Sequence, residues 1–140
     1  MLQHRRQIVA RVLIVDDEQQ TVELISRVVS LIGHEPVAAD GCAAALATLE
    51  TQQPDLILLD LMMPEVDGYE TLRRMRARPD TARTPIVIVT ASQELDVDER
   101  VADAGGDKVY YKPISIAMLS NAIDEFVRRV ETAPLPDQAA

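Results

Sequence analysis

The sequence predicts a doubly wound α/β domain, in which five parallel strands alternate with five helices. Three observations lead there. Short apolar runs alternate with longer stretches whose apolar residues recur at helical spacing. The runs that follow Arg11, Asp55 and Thr84 are apolar throughout, as expected of parallel strands covered on both faces. Four of the five runs close on a polar residue, namely Asp16, Asp60, Thr90 and Lys112.

The first strand is Val12-Leu13-Ile14-Val15. Val22, Ile25, Val29 and Ile32 then mark a helix that Gly33 ends in the C′ position. Glu35 to Ala39 reads as a weak strand, and Pro36, which lacks a ladder donor, assigns it to a sheet edge. Cys42, Ala45, Leu46 and Leu49 mark the second helix, and Leu56 to Leu59 the third strand. After Met63-Pro64, Tyr69, Leu72 and Met75 mark a helix that stops before Pro79. The fourth strand runs from Pro85 to Val89 and closes at Thr90-Ala91-Ser92.

The fourth helix is expected over about Glu94 to Ala104. Val97, Val101 and Ala104 form its apolar face, and Asp96, Asp98, Glu99 and Asp103 its acidic one. An acidic face of this kind is ordinarily solvated, or else contributes to partner specificity. Gly105-Gly106 stops the helix, Val109-Tyr110-Tyr111 forms a short edge strand, and Ser115 can cap a last helix bearing Ile116, Leu119, Ile123, Phe126 and Val130. Right-handed crossovers and weak second and fifth strands give the flavodoxin-like order 2-1-3-4-5. Residues 1–10 read as an arm, 11–131 as the domain, and 132–140, with two prolines, as a tail.

Composition narrows the function. The chain has 140 residues, 47% of them hydrophobic, enough for one domain with a proper core. Lysine and arginine number 14 against 23 aspartates and glutamates, a net charge of −9. That surface disfavours nucleic acid and anionic lipid. One cysteine makes no internal disulfide, and no apolar run approaches a membrane span. A cytoplasmic protein is expected. Cys42 reads as a small packed hydrophobe, and His34, just after a helix end, as a dipole or solvent contact; His4 falls in the arm.

The strand-closing residues carry the chemistry. In an open α/β sheet the carboxyl ends of the strands line one crevice, so Asp16, Asp17, Asp60, Thr90 and Lys112 should converge. Three carboxylates so close repel, and one pKa should rise unless a cation intervenes. An all-oxygen set favours magnesium, and manganese would fit the same set. A cation, a lysine and a hydroxyl around a carboxylate suit a phosphoryl group, and a carboxylate can itself become the acyl phosphate. Each residue alone has an ordinary structural reading as a turn or cap residue.

Four segments together resemble the receiver domain of bacterial two-component response regulators. They are Leu13-Ile14-Val15-Asp16-Asp17-Glu18, Leu59 to Gly68, Val89-Thr90-Ala91 and Lys112-Pro113. The likeness runs from about Arg11 to Arg129. It implies that Asp60 accepts a phosphoryl group from a histidine kinase or a histidine phosphotransfer protein. It implies Mg²⁺ held by Asp17 directly, by Asp16, often through water, by Asp60, and by the Met62 backbone carbonyl. Thr90, with its neighbour Ala91, matches the phosphoryl-sensing switch, and Lys112 the residue that pairs with the phosphoryl group. Lys112-Pro113 looks like the family's cis peptide. The expected output surface, facing a downstream protein, is the fourth helix, fifth strand and fifth helix.

The sequence departs from the family pattern at Val109. Three residues before the lysine the family usually has Tyr or Phe, which turns inward on activation. Because adjacent strand residues point to opposite faces, neither neighbouring tyrosine is expected to stand in. Met62 and Ser92, two residues after Asp60 and Thr90, fall where the family modulates phosphoryl lifetime. Two other readings use the same residues. An aspartyl-nucleophile phosphohydrolase usually needs a second aspartate where this chain has Met62, and a pseudo-receiver would bind partners without phosphorylation. A Rossmann-type nucleotide site fails, since the first turn reads Asp16-Asp17-Glu18-Gln19 without glycine. No effector domain is expected after residue 130, which suits either a free-standing regulator or a receiver from a longer protein.

Overall fold

The computed structural model describes residues 9–131. The expected arm up to residue 8, with His4, and the tail from residue 132 lie outside the described residues, as does the side chain of Val130. Ten elements alternate without exception: β1 (Arg11–Val15), α1 (Gln19–Leu31), β2 (Glu35–Ala39), α2 (Cys42–Leu49), β3 (Leu56–Leu59), α3 (Gly68–Arg76), β4 (Ile86–Thr90), α4 (Val97–Ala104), β5 (Lys108–Tyr111) and α5 (Ile116–Glu131). All pairings are parallel, in the order β2-β1-β3-β4-β5.

Burial follows the strand order. β3 and β4 are buried at every residue, and β1 at all but Arg11. The edge strands β2 and β5 are largely exposed or half-buried, and Pro36 of β2 sits opposite Val12 where only one side needs a ladder donor. Alternation along the strands sends Leu13, Val15, Ile57, Leu59, Ile86 and Ile88 towards α2, α3 and α4. Val12, Ile14, Leu56, Leu58 and Val87 turn the other way, against α1 and α5. The sheet is thereby buried on both faces, and the loops at the carboxyl ends of its strands are left to form a site.

The helix ends carry the expected signals. Gly33 and Gly105 adopt positive φ, +93° and +99°, after α1 and α4. Asp67 accepts from the Glu70 amide at 2.9 Å at the start of α3, and Ser115 from the Met118 amide at 3.1 Å at the start of α5. The fourth helix begins later than its sequence suggests, at Val97 rather than Glu94. Val97 is the first side chain there with a core to enter, whereas Leu95 is fully exposed. The Glu94 amide turns back to the Ser92 hydroxyl instead of opening a helix.

The α3 entrance requires glycine. A Cβ on Gly68 would lie 2.4 Å from the Asp60 carbonyl oxygen and 2.4 Å from the Leu61 Cα. The Gly68 amide meanwhile donates to the Leu61 carbonyl at 2.9 Å. The helix is therefore drawn against the backbone that presents Asp60.

At the other end of the sheet Arg76 closes the molecule. Its guanidinium donates to the Gly105 carbonyl at 2.8 Å, the Thr81 carbonyl at 2.9 Å, the Thr84 carbonyl at 2.5 Å and the Asp107 carboxylate at 2.9 Å. The end of α3, the loop before β4, the end of α4 and the start of β5 thus share one side chain.

Candidate functional site

The ladders bring the strand-closing residues together. Asp16 follows β1, and its amide donates to the Ala39 carbonyl at 3.1 Å. Asp60 follows β3, with its amide on the Val15 carbonyl at 2.9 Å, and the Lys112 amide bonds the Thr90 carbonyl at 2.8 Å. Each backbone is held by the neighbouring strand, so each side chain leaves from a fixed point. Carboxylate oxygens of Asp16, Asp17 and Asp60 lie within 4.8 Å of one another. Asp16 and Asp60 are buried, Asp17 is exposed, and Thr90, at the end of β4, is fully buried.

Lys112 reaches into this group from β5. Its ammonium stands 2.8 Å from Asp16 Oδ2, 3.6 Å from Asp60 Oδ2 and 3.9 Å from Glu18 Oε2. The closest partner is thus Asp16, whose other oxygen accepts from the Glu18 amide at 2.9 Å. Glu18 is the acid that strand-end reasoning missed. It lies one position beyond the turn, in the N-cap of α1, and the run Asp16-Asp17-Glu18 was the available signal.

Burial is the largest influence on Asp60 and raises its pKa above the usual carboxylate value; the charge of Asp16 raises it further. Lys112 and the Met62 amide, which donates to Asp60 Oδ1 at 3.3 Å, pull the other way without cancelling the rise. Burial by itself would lower Lys112. The hydrogen bond to Asp16 and the charges of Asp60, Asp16 and Glu18 outweigh it and hold the ammonium above its ordinary value.

The donor set fits a hard divalent cation: three carboxylates from two strand ends, no histidine or thiolate among them, on a cleft open at Asp17. A cavity of about 480 Å³, lined by Asp16, Asp17, Gln19, Val22, Asp40 and Ala44, adjoins it. Met62 projects outward, 59% exposed, so its side chain is free of the core. The Lys112–Pro113 bond is cis.

β5 settles where the tyrosines go. Val109 packs with the α4-side core and Tyr110 with the α5-side core. Tyr111 returns to the α4 side, and its hydroxyl donates to Asp98 at 3.1 Å. Opposite-face reasoning therefore applies to Tyr110 alone, because Tyr111 stands two residues from Val109 and shares its face. His34 also has a partner that its position did not suggest: its Nδ1 accepts from the Ala10 amide at 3.0 Å.

Comparison with known proteins identifies the family. The family model described as "Response regulator receiver domain" matches residues 12–124. The chain is 36% identical over 141 residues to the virulence sensor protein BvgS of Bordetella pertussis, covering 96% of this chain and 11% of that protein. It is 35% identical over 132 residues to the response regulator MprA of Mycobacterium sp. strain KMS, covering 93% of this chain and 56% of that one. It therefore spans a small part of the first relative and about half of the second. Among solved structures, the signal receiver domain of a signal transduction histidine kinase from Syntrophus aciditrophicus shares the fold, with a TM-score of 0.82, 24% identity, and coverage of 94% of this chain and 100% of that one. The chemotaxis protein CheY4 of Vibrio cholerae does so at a TM-score of 0.81 and 24% identity, covering 85% and 99%.

Proposed function

The chain belongs to the response regulator receiver domain family, and from that premise we propose that it is a phosphoacceptor switched at Asp60. Members of the family are signalling modules of two-component systems rather than conventional enzymes. The observation that carries the proposal is the meeting of Asp16, Asp17, Asp60, Thr90 and Lys112 from four strand ends in one cleft.

The phosphodonor is a phosphohistidine on a histidine kinase or phosphotransfer protein in the cytoplasm. An Asp60 carboxylate oxygen attacks phosphorus, the P–N bond breaks, and the imidazole leaves with the electron pair and takes a proton. Asp16, Asp17, Asp60 and the Met62 carbonyl are the groups that would hold Mg²⁺. When bound, that ion offsets the charge of the carboxylates and of the incoming phosphoryl group. Lys112 supplies a further positive charge already within reach of Asp60. Phosphorylation replaces one carboxylate charge by a group of up to two charges and three acceptor oxygens. Lys112 and the Thr90 hydroxyl then have new acceptors, and that difference biases the loop after β4. The response is read on the surface of α4, β5 and α5 by a downstream protein.

The phosphohydrolase alternative lacks its general acid, since Met62, the residue two after Asp60, has no titratable proton. The decisive experiment is intact-protein mass spectrometry after acetyl phosphate, with and without Mg²⁺. Wild type should gain one metal-dependent phosphoryl adduct, and Asp60→Asn none. An adduct that persists in the variant would place the acceptor elsewhere.

A further inference from the structure

Tyr69 lies on α3 outside the cleft, and its surroundings are unusual for a packing residue. Its ring is buried, and among the described residues its hydroxyl is the one buried side-chain polar atom without a hydrogen-bond partner. A hydroxyl in that position has given up water and gained nothing in return, so the arrangement around it is less stable than it could be. The guanidinium of Arg100, on α4, covers the ring at 3.9 Å from its centroid. The charged groups facing Tyr69 are Arg100, Glu94, Asp96 and Asp67.

Contacts lead from this ring back to the site. Arg100 donates to the Glu94 carboxylate at 2.9 Å. The Glu94 amide donates to the Ser92 hydroxyl at 3.4 Å, and the Ser92 amide to the Thr90 hydroxyl at 3.2 Å. Thr90 is the buried hydroxyl of the cleft. The segment from Thr90 to Asp96 is therefore tied at one end to the phosphoryl site and at the other to the cation over Tyr69. The alternatives on β5 offer no such link: the Val109 side chain has no polar atom, and the Tyr111 hydroxyl is already engaged by Asp98.

We infer that Tyr69 is the positioning residue through which the state of the Asp60 site reaches the α3–α4 face. The inference rests on the phosphoacceptor reading. When Thr90 turns to a phosphoryl oxygen, the 91–96 segment shifts, Arg100 follows Glu94, and the Tyr69 hydroxyl gains a partner that the resting form denies it. The unsatisfied hydroxyl thus lowers the energy gap that phosphorylation must overcome.

The test uses the whole chain labelled with [ζ-¹³C]tyrosine. Its three tyrosine resonances are assigned by single Tyr→Phe variants. Acetyl phosphate and Mg²⁺ are added while mass spectrometry follows the adduct in the same sample. The Tyr69 resonance should shift in step with the adduct. Tyr69→Phe should form the adduct to the same extent, melt higher when unmodified, and show a ratio of rearranged to resting α4 lowered about tenfold, read from the α4 amide resonances. Arg100→Gln should form the adduct and uncouple the Tyr69 shift from it. A complete adduct with an unmoved Tyr69 resonance overturns this inference alone. No adduct overturns the phosphoacceptor reading and this inference with it.

Discussion

Asp60 carries opposite demands in one side chain. In the proposed role it must be buried enough to exclude competing water, yet ionised enough to attack. Its raised pKa has a definite consequence for stability. Between its unfolded value of 3.8 and its higher folded value, the native state holds the proton more tightly than the unfolded chain. Stability from this group therefore falls as pH rises through that window. Without metal, Asp60→Asn should unfold at higher temperature than wild type at neutral pH, and the advantage should vanish below pH 3.8. Melting curves across that range check this; a less stable variant at neutral pH would contradict it. Lys112, also raised, has the same slope in a higher window. Its contribution is fully present below 10.5 and is lost as pH climbs through its higher folded value. The sequence suggested a raised carboxyl through repulsion among three acids. In the structure burial comes first and Asp16 second, ahead of any other carboxylate. Burial depends on what covers a residue, and sequence neighbours do not reveal that.

At the scale of the element, the turn from β3 into α3 does most to place the site. Asp67 caps the helix, Gly68 lets it approach, and the Met62 amide returns to Asp60. Gly68→Ala forces its new methyl into backbone that has no room to yield. It should cost about 3 kcal/mol in urea unfolding and weaken Mg²⁺ binding as well. A variant as stable as wild type would show that α3 can retreat freely. The glycine and the aspartate before it stand plainly in the chain, but the 2.4 Å approach exists only once α3 packs. The later start of α4 has a related cause. No core lies beneath Leu95, and the segment forms the loop that joins Thr90 to Arg100 instead.

The whole molecule divides its labours between the two ends of the sheet. Carboxyl ends gather Asp16, Asp17, Asp60, Thr90 and Lys112, while Arg76 ties the amino ends. Arg76→Met removes the guanidinium donor from the Gly105, Thr81 and Thr84 carbonyls and from Asp107, of which Thr81 keeps the Thr84 amide and Asp107 the Ile86 amide. It should cost about 2 kcal/mol of stability and leave the Mg²⁺ affinity of the folded protein unchanged. Chemical unfolding and Mg²⁺ titration together check it, and a large loss of affinity would mean that the two ends are coupled. By itself the sequence determined the ten elements, their parallel order and five of the residues in the cleft, because apolar periodicity and strand-end positions are local properties and one fold satisfies them. Only the tertiary structure decided that Lys112 rests nearer Asp16 than Asp60, that Glu18 joins them, that the Tyr111 hydroxyl finds Asp98, and that the hydroxyl of Tyr69 is left unsatisfied. These depend on distances between side chains from different elements, and such distances arise only when helices and sheet close on one another.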